Sequence, residues 1–251
     1  MAKRSALATA FFTWVMQRQI AGSFNALRIA RSGRPELPAD APLVIYSNHP
    51  AWWDPALYIV LAGQLFADRD SYGPMDAAAL DQYRILRRVG IFGIDTAGYR
   101  GAARFLRVAE GLLASPDHML WVTAQGAFAD PRARPLTLRP GLARLLARVP
   151  DAVAVPLAIE YPFWHEKQPE ALCRFGTPIA ASQASAEALT TALTEQMDYL
   201  ADSAMMRSPH DFDTLIAGRA GVGGVYDLGR RVKAALRGQR FDARHDQTPP
   251  R

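Results

Sequence analysis

The sequence contains a single cysteine, Cys173, among 251 residues. One cysteine excludes an intramolecular disulfide, and it also excludes a zinc site built from several thiolates. Lysine is scarce too, because only Lys3, Lys167 and Lys233 occur, so arginine supplies most of the net charge of +5. Zinc-finger and RNA-binding signatures are absent, as are lysine- and arginine-rich blocks, and we therefore predict no nucleic-acid partner. The positive charge favours a phosphate group or an anionic lipid surface.

No apolar run reaches the roughly 20 residues that are needed to span a bilayer. Residues 5–16 are almost free of charge, but no small-x-small cleavage site follows them directly, as it would in a signal peptide. We interpret residues 5–30 as one or two amphipathic helices on a membrane surface, with Phe11, Phe12 and Trp14 as interface anchors. A helix packed on the core of the protein itself is the alternative.

Short apolar segments alternate with segments of helical spacing through the middle of the chain. This alternation predicts an α/β fold with a mixed, largely parallel sheet flanked by helices. The predicted strands are residues 43–46, 69–74, 91–95, 119–123, 152–160 and 172–176. The predicted helices are residues 55–66, 76–88, 100–114, 141–148 and 184–206, with further helices up to residue 236.

Glycine and proline near residues 32–42 mark a linker before the main domain. We therefore predict four parts of the chain: membrane-associated amphipathic helices (1–31), a central domain (32–180), a C-terminal helical extension (181–237) and a disordered tail (238–251).

The segment N-H-P-A-W-W-D (48–54) follows an apolar strand and precedes a helix. This is the carboxyl end of a strand, where α/β sheets place their active sites. Asp54 followed by Pro55 is typical of a helix start, with Asp54 as the N-cap. His49 lies five residues before Asp54, so the two side chains meet only if the chain turns between them, and Pro50 favours such a turn.

A histidine beside a carboxylate is suited to general-base catalysis. Neutral imidazole removes a proton near neutral pH, and a carboxylate holds its second nitrogen in the required tautomer. We therefore predict that His49 and Asp54 activate a hydroxyl group, with no covalent intermediate on the protein. The alternative is that Asp54 only caps its helix and that His49 is an ordinary loop residue.

The segment 48–54 resembles the H-x4-D motif of the glycerolipid and lysophospholipid acyltransferase family, which includes the 1-acylglycerol-3-phosphate acyltransferases. Three further blocks follow in the order of that family: G-I-F-G-I-D (90–95), T-A-Q-G-A-F (123–128) and V-P-L-A-I (155–159). The resemblance covers residues 42–180. It implies an enzyme of lipid metabolism that moves a fatty acyl chain from coenzyme A or acyl carrier protein to a lysophospholipid-like hydroxyl, and it implies no cofactor and no metal.

Two blocks depart from the family pattern. Gln125 and Gly126 match the first half of the E-G-T-R block, and Ala127 and Phe128 stand where the family has Thr-Arg. The resemblance implies that Gln125 and Gly126 contact the acceptor. The missing arginine is replaced by Arg132, Arg134 or Arg139, or these side chains coat a solvated loop or meet anionic lipids.

The second departure is Thr96, at a position where the family commonly has arginine. We predict that Arg100 or Arg104, just beyond this block, supplies the missing charge. The alternative for Arg104 is an ordinary position on the helix surface. Asn48 belongs to the first block and is predicted to contact substrate. Trp52 and Trp53 either line an acyl site or interface, or they belong to the core.

The expected partners are membrane lipids and the thioester donor, and the expected location is the cytoplasmic face of a membrane. Two other functions stay open from the sequence: a non-catalytic lipid-binding protein on the same fold, and a thioesterase-like hydrolase in which His49 activates water. The sequence leaves the oligomeric state open.

Overall fold

A computed structural model describes residues 4–33, 37–95 and 98–218. Its helices are α1 (Ala6–Ser23), α2 (Asp54–Leu65), α3 (Ala77–Gln82), α4 (Gly98–Leu112), α5 (Gly141–Leu146) and α6 (Ala186–Met205). Its strands are β1 (Ala26–Ala30), β2 (Leu43–Ser47), β3 (Asp70–Asp76), β4 (Ile91–Ile94), β5 (His118–Thr123), β6 (Val153–Glu160), β7 (Glu170–Phe175), β8 (Ile179–Ala180) and β9 (Phe212–Ala217).

Across the described ranges, the nine strands form one sheet in the order β4-β3-β5-β2-β6-β7-β1-β9, with β8 paired to β6. Five of the eight strand pairs are parallel and three are antiparallel. The predicted α/β fold with a mixed sheet flanked by helices is confirmed. β2 lies in the middle of the sheet, and all five of its residues are buried, which explains its continuous apolar character.

Two hydrophobic layers cover the sheet. Because side chains alternate along a strand, Leu43 and Ile45 of β2 face one layer, while Val44 and Tyr46 face the other. α1 and α2 contribute to the first layer, and α4, α5 and α6 contribute to the second. The carboxyl end of β2 therefore emerges between two packed layers.

The helical prediction for residues 24–30 is wrong in part, because residues 26–30 form β1. This strand pairs in parallel with β7 and antiparallel with β9. Leu27 and Ile29 are fully buried in the layer of α1 and α2. The sequence A-L-R-I-A fits the two-residue period of a strand as well as the period of a helix. Its pairing with β7 and β9 therefore decided its conformation.

The prediction of further helices after α6 is also wrong for residues 212–217, which form β9 at the edge of the sheet beside β1. The predicted helices at 219–236 and the predicted disordered tail at 238–251 lie outside the described residues. The division of the chain into domains stays a prediction.

α1 lies against α2, where the side chain of Thr13 is close to Gly63. Leu7, Phe11 and Trp14 on the other side are each more than half exposed. In the described part of the chain, no helix is both long and apolar enough to cross a membrane. Membrane association stays a prediction.

Candidate active site

The segment 48–54 occupies the predicted position between β2 and α2. The chain turns over residues 51–53, and Asp54 is the first residue of α2. The predicted N-cap role of Asp54 is wrong. Trp53 occupies the N-cap position, and the N-terminal end of α2 has no hydrogen bond from a capping side chain. The carboxylate of Asp54 is used elsewhere.

His49 and Asp54 are in contact, as the motif predicted. Nδ1 of His49 lies 2.5 Å from Oδ2 of Asp54. The side chain of Asp54 is fully buried, whereas that of His49 is 15% exposed. The buried carboxylate accepts a hydrogen bond from Nδ1 of His49. The neutral imidazole therefore carries its proton on Nδ1 and keeps a lone pair on Nε2. The arrangement therefore leaves a basic nitrogen for a substrate, held in one tautomer by Asp54.

Tyr161 completes the surroundings of Asp54. Its hydroxyl donates a hydrogen bond of 2.7 Å to Oδ1 of Asp54, and its ring packs near that of Phe24 at 5.4 Å between centroids. Desolvation by burial, and then the nearby Asp54 carboxylate, raise the pKa of Tyr161 well above its ordinary value. Tyr161 therefore stays protonated and donates to Asp54 over the ordinary pH range.

Asn48 is buried and forms two hydrogen bonds with the main chain of β6. Its Nδ2 donates to the carbonyl oxygen of Ile159, and its Oδ1 accepts from the N–H of Ile159, both at 2.9 Å. These bonds hold the end of β2 against β6 and orient the turn that carries His49. The structure therefore gives Asn48 a scaffold position, and its predicted contact with substrate stays a prediction.

The loop of residues 124–140, which follows β5, crosses beside His49. Oε1 of Gln125 accepts from the N–H of His49 at 2.9 Å, and the N–H of Ala129 donates to the carbonyl of His49 at 3.0 Å. The ring of Phe128 lies 4.3 Å from the imidazole of His49, tilted by 36°. Gln125 and Phe128, both from the third block, thus lie beside His49, and the predicted contact of Gln125 with an acceptor stays a prediction.

Gly126 has a φ of +67°, in the left-handed region that favours glycine. A Cβ atom there would lie 2.2 Å from Nε of Arg139. Nη2 of Arg139 donates to the carbonyl oxygen of Gly126 at 3.2 Å. Glycine at this position is therefore explained by the turn and by the packing of Arg139, whereas its predicted contact with an acceptor is untested.

The arginines proposed to grip an anion have other partners. Arg132 pairs with the buried carboxylate of Glu160 at 3.5 Å, and Arg134 pairs with Asp198 of α6. Burial raises the pKa of Glu160 above its ordinary value, and the charge of Arg132 opposes that rise. Arg100 is exposed on α4, which follows β4, and its predicted role in supplying charge stays a prediction.

The two tryptophans of the motif differ in their surroundings. Trp53 packs its ring edge-on against Phe24 at 5.1 Å and belongs to the layer of α1 and α2. Trp52 is 74% exposed. The core interpretation therefore holds for Trp53, whereas Trp52 presents its ring to the surface within three residues of His49.

Cys173 is fully buried, and burial raises the pKa of its thiol to about 12. It is therefore a neutral packed side chain and not a nucleophile. Within the described ranges, no group of three or more His, Cys, Asp or Glu side chains is placed to hold a metal ion.

Sequence reasoning missed the contacts of Tyr161 and Phe128 with the pair of His49 and Asp54. The signal for Tyr161 was its place directly after the carboxyl end of β6, the strand that pairs with β2. The signal for Phe128 was its place at the end of the third block, although its contact with His49 depends on the path of an irregular loop.

No protein-family model matches the chain, and no curated protein matches it in sequence. In structure, the chain is similar to the 1-acyl-sn-glycerophosphate (LPA) acyltransferase PlsC from Thermotoga maritima, with a TM-score of 0.55. The similarity covers 77% of this chain and 79% of that one, at 9% sequence identity. The chain has an acyltransferase-like fold. An identity this low shows the fold alone, and the chemistry must be argued from the site.

Proposed function

We propose that the protein is an acyltransferase that moves a fatty acyl chain from a thioester donor to the hydroxyl of an amphiphilic acceptor. The observation that carries this proposal is the contact of 2.5 Å between Nδ1 of His49 and the buried carboxylate of Asp54, with the imidazole still partly accessible. The acyltransferase-like fold supports the same reaction class.

In the proposed reaction, Nε2 of His49 takes the proton from the acceptor hydroxyl while its oxygen attacks the thioester carbonyl. A new C–O bond forms, the carbonyl becomes tetrahedral, and the C–S bond then breaks to release the thiolate. The imidazolium returns its proton to the thiolate or to solvent. Asp54 stabilises the imidazolium, and Tyr161 keeps Asp54 oriented.

The donor is a thioester of coenzyme A or of acyl carrier protein, and the protein itself adds no cofactor to this scheme. We also propose that it works at the cytoplasmic face of a membrane. The exposed apolar side chains of α1, Leu7, Phe11 and Trp14, support docking onto lipid, and the net charge of +5 suits the anionic cytoplasmic leaflet.

Replacing His49 with alanine tests the mechanism. We expect acyl transfer to fall by about 10²–10⁴-fold, because this is what a positioned general base contributes. The matched control is His210→Ala, because His210 is exposed beside the start of β9, an edge strand four positions from β2. Mass spectrometry of products from labelled thioesters and a total lipid extract is the measurement.

Each alternative has its own signature in that assay. Unchanged transfer by a folded His49→Ala protein would contradict the role of His49. Free fatty acid as the main product, with acceptor in excess, would identify a hydrolase. Lipid binding without turnover of either donor would identify a non-catalytic lipid-binding protein.

A further inference from the structure

An aromatic ring lies against the proposed general base. The centroid of the Phe128 ring is 4.3 Å from that of the His49 imidazole, and Phe128 is still 61% exposed. A molecule that approaches His49 past this loop therefore meets the Phe128 ring. The face of such a ring carries partial negative charge, so it favours C–H groups and disfavours an anion.

Two of the three arginines in the surrounding loop are already paired with carboxylates. Arg132 and Arg134 face the carboxylates of Glu160 and Asp198. A phosphate that bound either arginine would have to displace the carboxylate that the arginine now faces. If it bound Arg132, the carboxylate of Glu160 would be left buried without its cation. The loop therefore offers no unpaired cation from these two positions.

Three main-chain donors of the loop near His49 are engaged as well. The N–H groups of Ala124, Gly126 and Ala129 donate to the carbonyl oxygens of Ser47, Thr123 and His49, respectively. An anion that leaves water needs cations or N–H donors to replace its hydration. In lysophosphatidic acid, only a few covalent bonds separate the phosphate from the reacting hydroxyl, so these donors would have to lie close to His49.

We propose that the acceptor is an amphiphilic alcohol that is uncharged next to its reacting hydroxyl, such as a monoacylglycerol, and that Phe128 selects it by packing against its C–H groups. This inference rests on the proposed acyl transfer. The acceptor proposed for this chain differs from the acceptor named for its structural neighbour, which is a phosphate ester.

Arg139 is the residue on which the competing outcome, binding of a phosphate acceptor, would depend. Its guanidinium lies on Gly126, one residue from Gln125, and its Nη2 hydrogen bond goes to a neutral carbonyl. If a phosphate were bound, Arg139 is the arginine of this loop that has no carboxylate partner among the described ion pairs.

The test compares two acceptors with the same acyl chain, 1-oleoylglycerol and 1-oleoyl lysophosphatidic acid, in mixed micelles. The full-length protein receives oleoyl-CoA or oleoyl acyl carrier protein, and kcat/KM is measured for each acceptor. We expect the neutral acceptor to be preferred by about tenfold or more, because a buried unpaired charge is strongly discriminated against. In Phe128→Arg, this ratio should move toward the phosphate ester by about tenfold or more.

Ile85→Arg is the control for added charge, because Ile85 is half exposed before β4, the edge strand two positions from β5. It should leave the acceptor ratio unchanged. If Phe128→Arg does not fold, as judged by circular dichroism, the wild-type ratio alone decides the proposal.

A wild-type preference for lysophosphatidic acid would overturn the inference while leaving acyl transfer established. Selective loss of the phosphate acceptor in Arg139→Gln would overturn it in the same way and assign phosphate binding to Arg139. An unchanged ratio in a folded Phe128→Arg protein would remove Phe128 as the selecting residue. Turnover of no acceptor with either donor would instead refute the proposed function, together with this inference.

Discussion

The carboxylate of Asp54 is fully buried, which would be costly for an unpaired charge. Its two oxygens accept from Nδ1 of His49, the hydroxyl of Tyr161 and, at 3.4 Å, the N–H of Ala51. These donors compensate for lost hydration and hold the carboxylate in one orientation. Tyr161 acts on the reaction only through Asp54, so it is a positioning residue.

Tyr161→Phe removes the donor to Oδ1 and keeps the ring. We expect kcat to fall by about tenfold with KM little changed, because a misoriented Asp54 holds His49 less well in the transition state. Steady-state kinetics that separate kcat from KM are the measurement.

Tyr83→Phe is the matched control, because Tyr83 is exposed after α3. A Tyr161→Phe protein that loses thermal stability but keeps the kcat and KM of the wild type would show that Tyr161 serves packing alone.

At the level of elements, α1 has apolar side chains on both of its sides. Ile20 is buried near the end of the helix, while Leu7, Phe11 and Trp14 lie at spacings of four and three residues and share the outer face. The guanidinium of Arg18 lies 5.1 Å from the ring of Trp14 on the same face. An aromatic and basic outer face is suited to the interface of an anionic membrane.

The double substitution Phe11→Ser and Trp14→Ser should weaken binding to phosphatidylglycerol vesicles by about tenfold or more, because each ring buries a large apolar area in lipid. Cosedimentation over a range of lipid concentrations measures the effect. Met205→Ser with Met206→Ser is the matched control, since these exposed residues lie at the end of α6. Equal binding by all three proteins would exclude α1 as the docking surface.

For the molecule as a whole, buried tyrosines make the stability of the fold sensitive to alkali. Desolvation by burial raises the pKa of Tyr46, Tyr58 and Tyr161 above the ordinary value near 10. Between the unfolded and folded pKa values, the folded protein holds protons that the unfolded chain has released. The stability contributed by these groups is therefore complete below about pH 10 and is lost as the pH rises above it.

We expect the free energy of unfolding in urea to fall between about pH 9 and pH 11, by up to about 1.4 kcal/mol per pH unit for each tyrosine that keeps its proton. Tyr46→Phe removes one of these groups and should make the fall less steep, although it also loses the hydrogen bond to the carbonyl of Leu189. Stability that did not change over this range would contradict the assigned burial.

Much of the central sheet was predictable because its segments carry local signals. β2, β5 and β6 are apolar runs, and the apolar residues of α2 and α6 have helical spacing. In these segments the sequence pattern and the observed burial therefore indicate the same element. β1 and β9 were missed because short segments of mixed character fit more than one period. Their conformation depends on pairing with each other and with β7, which is information from distant parts of the chain.

The sequence by itself determined the α/β class and the pairing of His49 with Asp54, because a strand, a proline turn and a helix start follow one another within a dozen residues. Only the tertiary structure decided the partners of that pair. Tyr161 reaches Asp54 because β6 lies beside β2, and Phe128 reaches His49 because a loop after β5 crosses the end of β2. Contacts of this kind join residues far apart in the chain, and no local pattern encodes them.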